Sequence, residues 1–337
     1  MFLLLAASCC ASFAASDPVE SLRSFSLFPS INPARLLDGD ILGERGSLME
    51  FPQGICAQTC FAVSLSAAEA AKRLQVWDPS PHKSLRTLAF HSVGAPCDAA
   101  DFDRLKLQPG DHALRWLLDK SLATVEGKSE LHLTRDETRQ FADCAKDNPN
   151  AQTVGACWAK LLHARAAAFQ QRGLAGVPPY EANGETVSPF DQIRSMLSEK
   201  PQVAQEFANL LRQCGVLGND RDPVLKPFQY WGLCDANHRG TLNLGAVYLL
   251  PLGDRFQLLD AEYYVSGSYY SFATLYQVWP IQVGNKSGAL IWRGDFFAAP
   301  TLAFTRGAER LAYGAIMLQE LKKAIRCFQN DAKASLR

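Results

Sequence analysis

The stretch of sequence that decides the fold spans residues 241–297 and reads TLNLGAVYLLPLGDRFQLLDAEYYVSGSYYSFATLYQVWPIQVGNKSGALIWRGDFF. It contains four segments rich in Val, Ile, Leu, Tyr, Phe and Trp, at residues 242–250, 255–265, 269–280 and 288–297. The gaps between them are short and carry turn residues, as Gly253 and Asp254 do. Because gaps this short join antiparallel neighbours, the stretch predicts a four-stranded meander.

Neither face of the predicted sheet is cleanly polar. Alternation along the second segment puts Asp260, Glu262 and Tyr264 on the same face. A sheet with two apolar faces has to be covered on both, or has to turn one face toward a cavity. The pattern therefore predicts either a cavity that encloses an apolar ligand on one face of the sheet or a packed layer on each face.

A long helix follows the fourth segment, with Thr305 placed to cap its start. Its small and apolar residues recur at three- and four-residue steps, at Leu311, Gly314, Ala315, Leu318, Leu321, Ile325 and Phe328. We expect this helix to lie across the sheet, where Gly314 and Ala315 would allow close approach to the strands.

Length and charge limit the classes of function. The chain has 337 residues, enough for one large domain or two smaller ones. Its 34 Lys and Arg residues equal its 34 Asp and Glu residues, and no basic run stands out. Neither a nucleic-acid partner nor an anionic membrane surface is expected, since both attract basic patches.

Residues 1–16 resemble a secretory signal peptide that lacks its basic first segment. They predict export to the periplasm or the exterior, with a lipid anchor at Cys9 as a variant of that interpretation. The alternative is the apolar N-terminus of a cytosolic protein. No other run approaches the ~18 apolar residues of a membrane span, so the mature chain is not expected to cross a membrane.

Removal of that segment would take two of the ten cysteines, Cys9 and Cys10, and leave an even number. An even count is typical of disulfides in an oxidising compartment. The two local candidate pairs are Cys144 with Cys157 and Cys214 with Cys234. Buried free thiols are the alternative. No C-x-x-C pair and no histidine pair with ligand spacing is present, so no metal site is predicted.

The chain divides into three parts after residue 16. Residues 17–133 contain strand patterns and a helix that starts at Ser66, where Glu69 completes a capping box. Residues 134–215 read as a helical insertion. Residues 216–337 contain the meander and the long helix. The predicted class is therefore α+β, an antiparallel sheet with a long C-terminal helix and a helical insertion.

One family shares this arrangement. Residues 60–69, CFAVSLSAAE, form a strand that runs into a capped helix, and residues 302–328 supply a long final helix. In topology the chain resembles the START-like superfamily of polyketide cyclases and lipid-transfer proteins, whose fold is called the helix grip. The resemblance covers residues 57–93 and 241–328 and has no diagnostic motif. It implies a ligand cavity between the sheet and the helix.

Sequence signatures of catalysis are absent: the chain has no G-x-S-x-G, H-E-x-x-H or G-x-G-x-x-G, and no cofactor is expected. The candidate acid and base are Asp260 and Glu262, which alternate on one strand face about 7 Å apart. In a cavity each would raise the pKa of the other. The alternative is that they face solvent at the sheet edge or pair with Arg255 and Arg293.

Aromatic residues and one arginine are the candidate ligand contacts. They are Tyr264, Tyr270, Phe272, Tyr276, Trp292 and Arg293. Arg293 alternates with Asp295 and would either receive a ligand carboxylate or satisfy Asp295. For the aromatic residues the alternative is ordinary packing between sheet and helices. His82, after a proline-rich turn, lies at a pocket mouth or on a surface loop.

Three functional hypotheses follow. The first is an exported protein that binds a hydrophobic or amphipathic small molecule between sheet and helix without transforming it. The second is a cyclase- or hydrolase-like enzyme that uses Asp260 and Glu262 in the same cavity. The third is an envelope interaction protein whose helical insertion docks a protein partner. The sequence leaves open whether any reaction is catalysed.

Overall fold

A computed structural model describes residues 17–107, 110–126, 129–218 and 222–334. The predicted signal peptide and its Cys9 lie outside these residues. None of the described helices combines the length and the apolar composition that crossing a bilayer requires.

The centre of the molecule is an antiparallel sheet of eight strands. The described residues form ten strands in all, and eight of them belong to this sheet. In chain order the ten are β1 (Ile41–Arg45), β2 (Gly54–Val63), β3 (Thr87–Val93), β4 (Tyr180–Ala182), β5 (Glu185–Val187), β6 (Phe228–Ala236), β7 (Arg239–Leu252), β8 (Arg255–Val265), β9 (Ser271–Val283) and β10 (Lys286–Ala298). Across the sheet they follow the order β1-β2-β10-β9-β8-β7-β6-β3, while β4 and β5 form a separate hairpin. The predicted meander is confirmed as β7 to β10, and β6 extends it by a strand that the sequence pattern missed.

Ten α-helices surround the sheet in the described part of the chain. They are α1 (Pro18–Phe25), α2 (Pro33–Leu37), α3 (Ala67–Val76), α4 (His112–Val125), α5 (Arg135–Ala145), α6 (Ala151–Arg172), α7 (Pro189–Ser198), α8 (Pro201–Glu206), α9 (Ala208–Gln213) and α10 (Gly307–Ala334). The α+β class with a long C-terminal helix is confirmed. The capping box at the start of α3 is also present, since Ser66 and Glu69 bond each other's backbone N–H groups.

Both faces of the sheet are covered. On one face, which we call the grip face, α10 packs against β1 and β2, and α3 packs across β7 to β10. On the other, the insertion face, lie α1, α2, α4, α6, α7 and α9. Each face has its own buried apolar cluster. The two apolar faces seen in the sequence are thus explained by two helical layers.

The first turns of α10 differ from the expectation. The helix begins at Gly307, and the Thr305 hydroxyl donates to the Leu302 carbonyl instead of capping it. Leu311 is exposed, because the buried position beside it belongs to Arg310. The Arg310 guanidinium donates to the backbone carbonyls of Phe51, Pro52 and Gly54. These bonds fix the start of α10 to the β2 end of the sheet without an apolar contact from Leu311.

One predicted disulfide is present and the other is absent. Cys144 and Cys157 are bonded, with their Cα atoms 5.9 Å apart, and join α5 to α6. The prediction for Cys214 and Cys234 is wrong, because no disulfide joins these two residues. Cys214 ends α9 in the core of the insertion face, whereas Cys234 on β6 borders the grip face, so the sheet separates them.

Candidate functional site

A cavity of about 370 Å³ lies between the grip face and α10. Its floor consists of residues on β6 to β10, and its roof comes from α10 through Met317 and Leu321. Trp77, at the end of α3, and Phe90 on β3 complete the wall. The lining is thus mostly apolar, and the floor adds the carboxyl groups of Asp260 and Glu262. This division suits a ligand with an apolar body and a polar end.

Two glycines make room for the polar floor. A Cβ on Gly245 of β7 would fall 2.2 Å from the Tyr230 ring, which crosses that strand. A Cβ on Gly232 of β6 would fall 2.4 Å from the Asn243 side-chain oxygen. Only glycine permits these close approaches, so both side chains lie flat over the neighbouring strand.

Asp260 on β8 is half-buried and faces the cavity. The Tyr230 hydroxyl donates a hydrogen bond of 2.9 Å to its Oδ1. Burial raises the pKa of Asp260 to about 6, although the bond from Tyr230 and the charge of Arg293 act in the opposite direction. Asp260 is therefore mainly ionised at neutral pH.

Glu262 lies two residues further along β8 and is buried. The Tyr269 hydroxyl donates to its Oε2 over 2.7 Å, and Asn243 Nδ2 lies 2.6 Å from its Oε1. Burial raises the pKa of Glu262 to about 8, and the charge of Asp260 adds to the increase. Glu262 is thus mainly protonated at neutral pH. The two carboxyl groups face one cavity in opposite protonation states.

Arg293 and Asp295 on β10 satisfy each other. Arg293 Nε lies 2.9 and 2.8 Å from the two carboxylate oxygens of Asp295, and its Nη2 lies 2.7 Å from Oδ1. The Thr274 hydroxyl also donates to Asp295. Burial lowers the pKa of Arg293, but the Asp295 carboxylate outweighs that effect and raises it overall. Of the two hypotheses for Arg293, the structure has the one in which it pairs with Asp295.

The six predicted ligand contacts divide between the two faces. Phe272, Tyr276 and Arg293 line the cavity. Tyr264, Tyr270 and Trp292 lie on the insertion face instead. Five of the six are aromatic, so the type of side chain does not decide the face. The position of each residue along the backbone does.

A β-bulge explains the position of Tyr264. The register of β7 and β8 shifts between Leu244, opposite Tyr264, and Gly245, opposite Glu262. The extra residue, Tyr263, breaks the alternation of side chains. The prediction that Tyr264 shares a face with Glu262 is therefore wrong. Its ring lies 4.2 Å below the Arg165 guanidinium, on the side of α6.

The positions of Tyr270 and Trp292 on the insertion face do not depend on a bulge. Tyr270 precedes the first residue of β9, so the turn and not the strand sets its direction; its hydroxyl accepts a hydrogen bond from Asn183. Trp292 is next to Arg293 on β10, and adjacent strand residues point to opposite faces. Its ring packs edge-on against Phe25 of α1, with centroids 4.9 Å apart.

Sequence reasoning missed two residues of the floor, Tyr230 and Asn243. Tyr230 lies on β6, a strand that the sequence pattern did not predict. Gly232 and Gly245 could have indicated these residues in the sequence, because a glycine inside a strand often marks the close approach of another side chain.

The rim of the cavity is tied to the end of α10. Trp77 Nε1 donates to Asp331 Oδ2 over 2.8 Å, and His82 Nε2 lies 2.8 Å from the same oxygen. Trp77 and Pro79 line the cavity, so these contacts hold the segment after α3 against the roof helix. His82, a candidate for a pocket mouth or a surface loop, lies beside the rim.

Other parts of the described chain offer less chemistry. A concavity of about 720 Å³ lies between α6 and residues 99–107, and it contains no buried titratable cluster. In the described ranges, no three His, Cys, Asp or Glu side chains come together as metal ligands would.

The chain matches no family model, no curated protein and no solved structure.

Proposed function

We propose that this protein binds a hydrophobic or amphipathic small molecule between the grip face and α10, without transforming it. The observation that supports the proposal is the cavity of about 370 Å³, whose roof includes Met317 and Leu321 and whose floor carries Asp260 and Glu262. Its volume falls at the lower end of the range for small-molecule sites, which is about 300–1,000 Å³.

The START-like resemblance belongs to the same proposal. It is supported by the position of the cavity beneath a long C-terminal helix that lies across an antiparallel sheet. Export is also part of the proposal, and the Cys144–Cys157 disulfide favours it because disulfides persist in oxidising compartments.

The test is titration with N-phenyl-1-naphthylamine, a neutral apolar dye that fluoresces when it leaves water. Wild-type protein should bind the dye. Ala324→Trp should weaken binding at least about tenfold, because Ala324 lines the cavity and an indole there fills it. Ala315 is exposed, contrary to the prediction that it would approach the strands, so Ala315→Trp places the same side chain on the solvent side of α10 and serves as the control.

Equal dye binding by the two variants would contradict the proposal. Native mass spectrometry of the protein isolated from its own host provides an independent test. A small-molecule adduct that is present in wild type and in Ala315→Trp, and absent in Ala324→Trp, would place the natural ligand in this cavity.

One observation favours the second hypothesis, a cyclase- or hydrolase-like enzyme. Asp260 and Glu262 face the same cavity, with pKa values of about 6 and about 8. Two carboxyl groups whose pKa values differ in this way form an acid and base pair. Hydrolysis of p-nitrophenyl octanoate that depends on Glu262, and disappears in Glu262→Gln, would support this activity. A rate equal to the buffer rate would leave binding as the function.

The interaction hypothesis has less support. The insertion helices supply the apolar core on one side of the sheet, so only their outer surface is available to a partner. The concavity along α6 is the place on that surface where a partner would bind.

A further inference from the structure

The floor of the cavity contains more acids than bases. Three carboxyl groups face it or lie beneath it, those of Asp260, Glu262 and Asp295, against one guanidinium, that of Arg293. Arg293 directs three hydrogen bonds to Asp295. Among the described residues, no nitrogen of Lys, Arg or His lies within 4.0 Å of an oxygen of Asp260 or Glu262. Asp260 therefore has no ion-pair partner, although the charge of Arg293 acts on it from a greater distance.

The same floor has acceptors without donors. Asn243 is 8% exposed, and its Oδ1 has no hydrogen-bond partner within the described residues. Its amide nitrogen is occupied by Glu262. Asp260 receives one hydrogen bond, at Oδ1, and its Oδ2 accepts none from the described chain. A buried acceptor that lacks a donor is destabilising, so a ligand N–H group at this place would be favourable.

Aromatic rings complete the surroundings. The rings of Tyr230 and Tyr276 line the cavity, and Phe90 packs on Tyr230 with centroids 4.7 Å apart. The face of an aromatic ring attracts cations. A metal ion does not suit the site, because no three ligand groups converge within the described residues. An organic cation uses the Asp260 carboxylate and the aromatic rings together.

We propose that the ligand of this cavity carries a protonated amine, with its ammonium group at Asp260 and its apolar body beneath α10. The inference rests on the proposed function, since it assigns the polar end of the same ligand. An ammonium group has three N–H donors and no acceptor, which is the complement of a floor with unfilled acceptors. A carboxylate ligand would instead face Asp260, while the only arginine of the floor is already bonded to Asp295.

The test compares three probes that share one apolar chain: octylamine, octanol and octanoate. Calorimetric titration of wild-type protein at pH 7.5 should rank them in that order. Octylamine should bind at least about tenfold more tightly than octanol, because a charge-assisted hydrogen bond is stronger than a neutral one. Octanoate should bind more weakly than octanol.

Two variants locate the preference. Asp260→Asn removes the charge while keeping the size of the side chain, and should bind octylamine and octanol with similar affinity. Asp254→Asn makes the same change in the exposed turn between β7 and β8, and should keep the wild-type ranking. The ranking of the probes on the wild-type protein tests the inference by itself if Asp260→Asn does not fold.

The outcomes separate the inference from the function on which it rests. Equal affinity for octylamine and octanol, or tighter binding of octanoate, would overturn the amine while leaving a ligand cavity. Failure of all three probes, together with failure of the naphthylamine dye, would overturn the proposed function and the inference with it.

Discussion

Tyr230 on β6 donates its hydroxyl hydrogen bond to Asp260 on β8, across the whole width of β7. The bond favours the ionised form of Asp260 and opposes the effect of burial on its pKa. Gly245 is what lets the Tyr230 ring span the intervening strand.

Tyr230→Phe should therefore raise the pKa of Asp260 above about 6. The carboxyl carbon of Asp260, followed by NMR through a pH titration, reports this value directly. Tyr313→Phe, at an exposed position of α10, should leave the titration unchanged. A lower or unaltered pKa in Tyr230→Phe would mean that the hydroxyl does not act on Asp260 in solution.

Glu262 should make the protein less stable as the pH rises. Its pKa increases from 4.5 in an unperturbed glutamate to about 8 in the folded protein, so the folded state binds its proton more tightly. The stabilisation is complete below about pH 4.5 and is lost as the pH rises to 8. Asp260 acts in the same direction between about pH 4 and 6.

Glu262→Gln removes this dependence, because glutamine carries no charge at any pH. One pKa unit corresponds to about 1.4 kcal/mol, so even half of the shift makes a difference of about 2 kcal/mol. Urea denaturation gives the unfolding free energy of both proteins at pH 5 and at pH 9. The difference between Glu262→Gln and wild type should change by about 2 kcal/mol in favour of the variant between these two pH values. Glu309→Gln on the exposed start of α10 should follow the wild-type curve. Parallel curves for wild type and Glu262→Gln would show that the pKa of Glu262 is not raised in the folded state.

Removing one member of the Arg293 and Asp295 pair should lower the unfolding free energy more than replacing both members with apolar residues. Asp295 is fully buried, and Arg293→Met leaves its carboxylate with no cation. Removing one member of a buried pair costs about 3–5 kcal/mol, whereas replacement of both by apolar residues is often close to neutral. Chemical denaturation of Arg293→Met, Asp295→Leu and the double variant should show the double variant to be more stable than either single one. Losses that simply add would contradict the pairing.

The sequence predicted the architecture well because strong local patterns produce it. The turns around Gly253 and Gly284 leave antiparallel pairing as the only arrangement for β7 to β10, and the capping box at Ser66 marks the start of α3. The strand β6 was missed because Tyr230, Trp231 and Leu233 are interrupted by Gly232, which lowers the strand pattern. That glycine is present because Asn243 lies over it, a contact between two strands that a local pattern does not contain.

The site was predicted in part, and the failure at Tyr264 has a physical origin in the strand register. Asp260, Glu262, Phe272, Tyr276 and Arg293 line the cavity as the alternation of strand residues implies. Tyr264 does not, because the bulge at Tyr263 adds a residue to β8 without any mark in the surrounding sequence. Alternation is reliable only within an unbroken register, and the register is set by the partner strand.

The rim contacts at Asp331 should control how fast a ligand enters and leaves. Asp331 Oδ2 accepts the hydrogen bond of Trp77 and lies 2.8 Å from His82 Nε2, so one carboxylate oxygen makes two polar contacts that hold the segment after α3 against α10. The Trp77 ring also packs edge-on against Phe328 of the same helix. Asp331→Ala removes both contacts while leaving the floor of the cavity intact. If the segment moves away from α10 to admit the ligand, its opening becomes easier in this variant. Stopped-flow measurements with N-phenyl-1-naphthylamine should then show association and dissociation rates that are both about three- to tenfold higher, with a smaller change in the equilibrium constant. This size is expected because a lost hydrogen bond to a charged group is worth about 1.5–3 kcal/mol before compensation by water.

Glu309→Ala, at the other end of the same helix, should leave both rates unchanged. Unchanged rates in Asp331→Ala would mean that the ligand passes elsewhere, whereas a slower dissociation would show that the segment closes more tightly without the carboxylate.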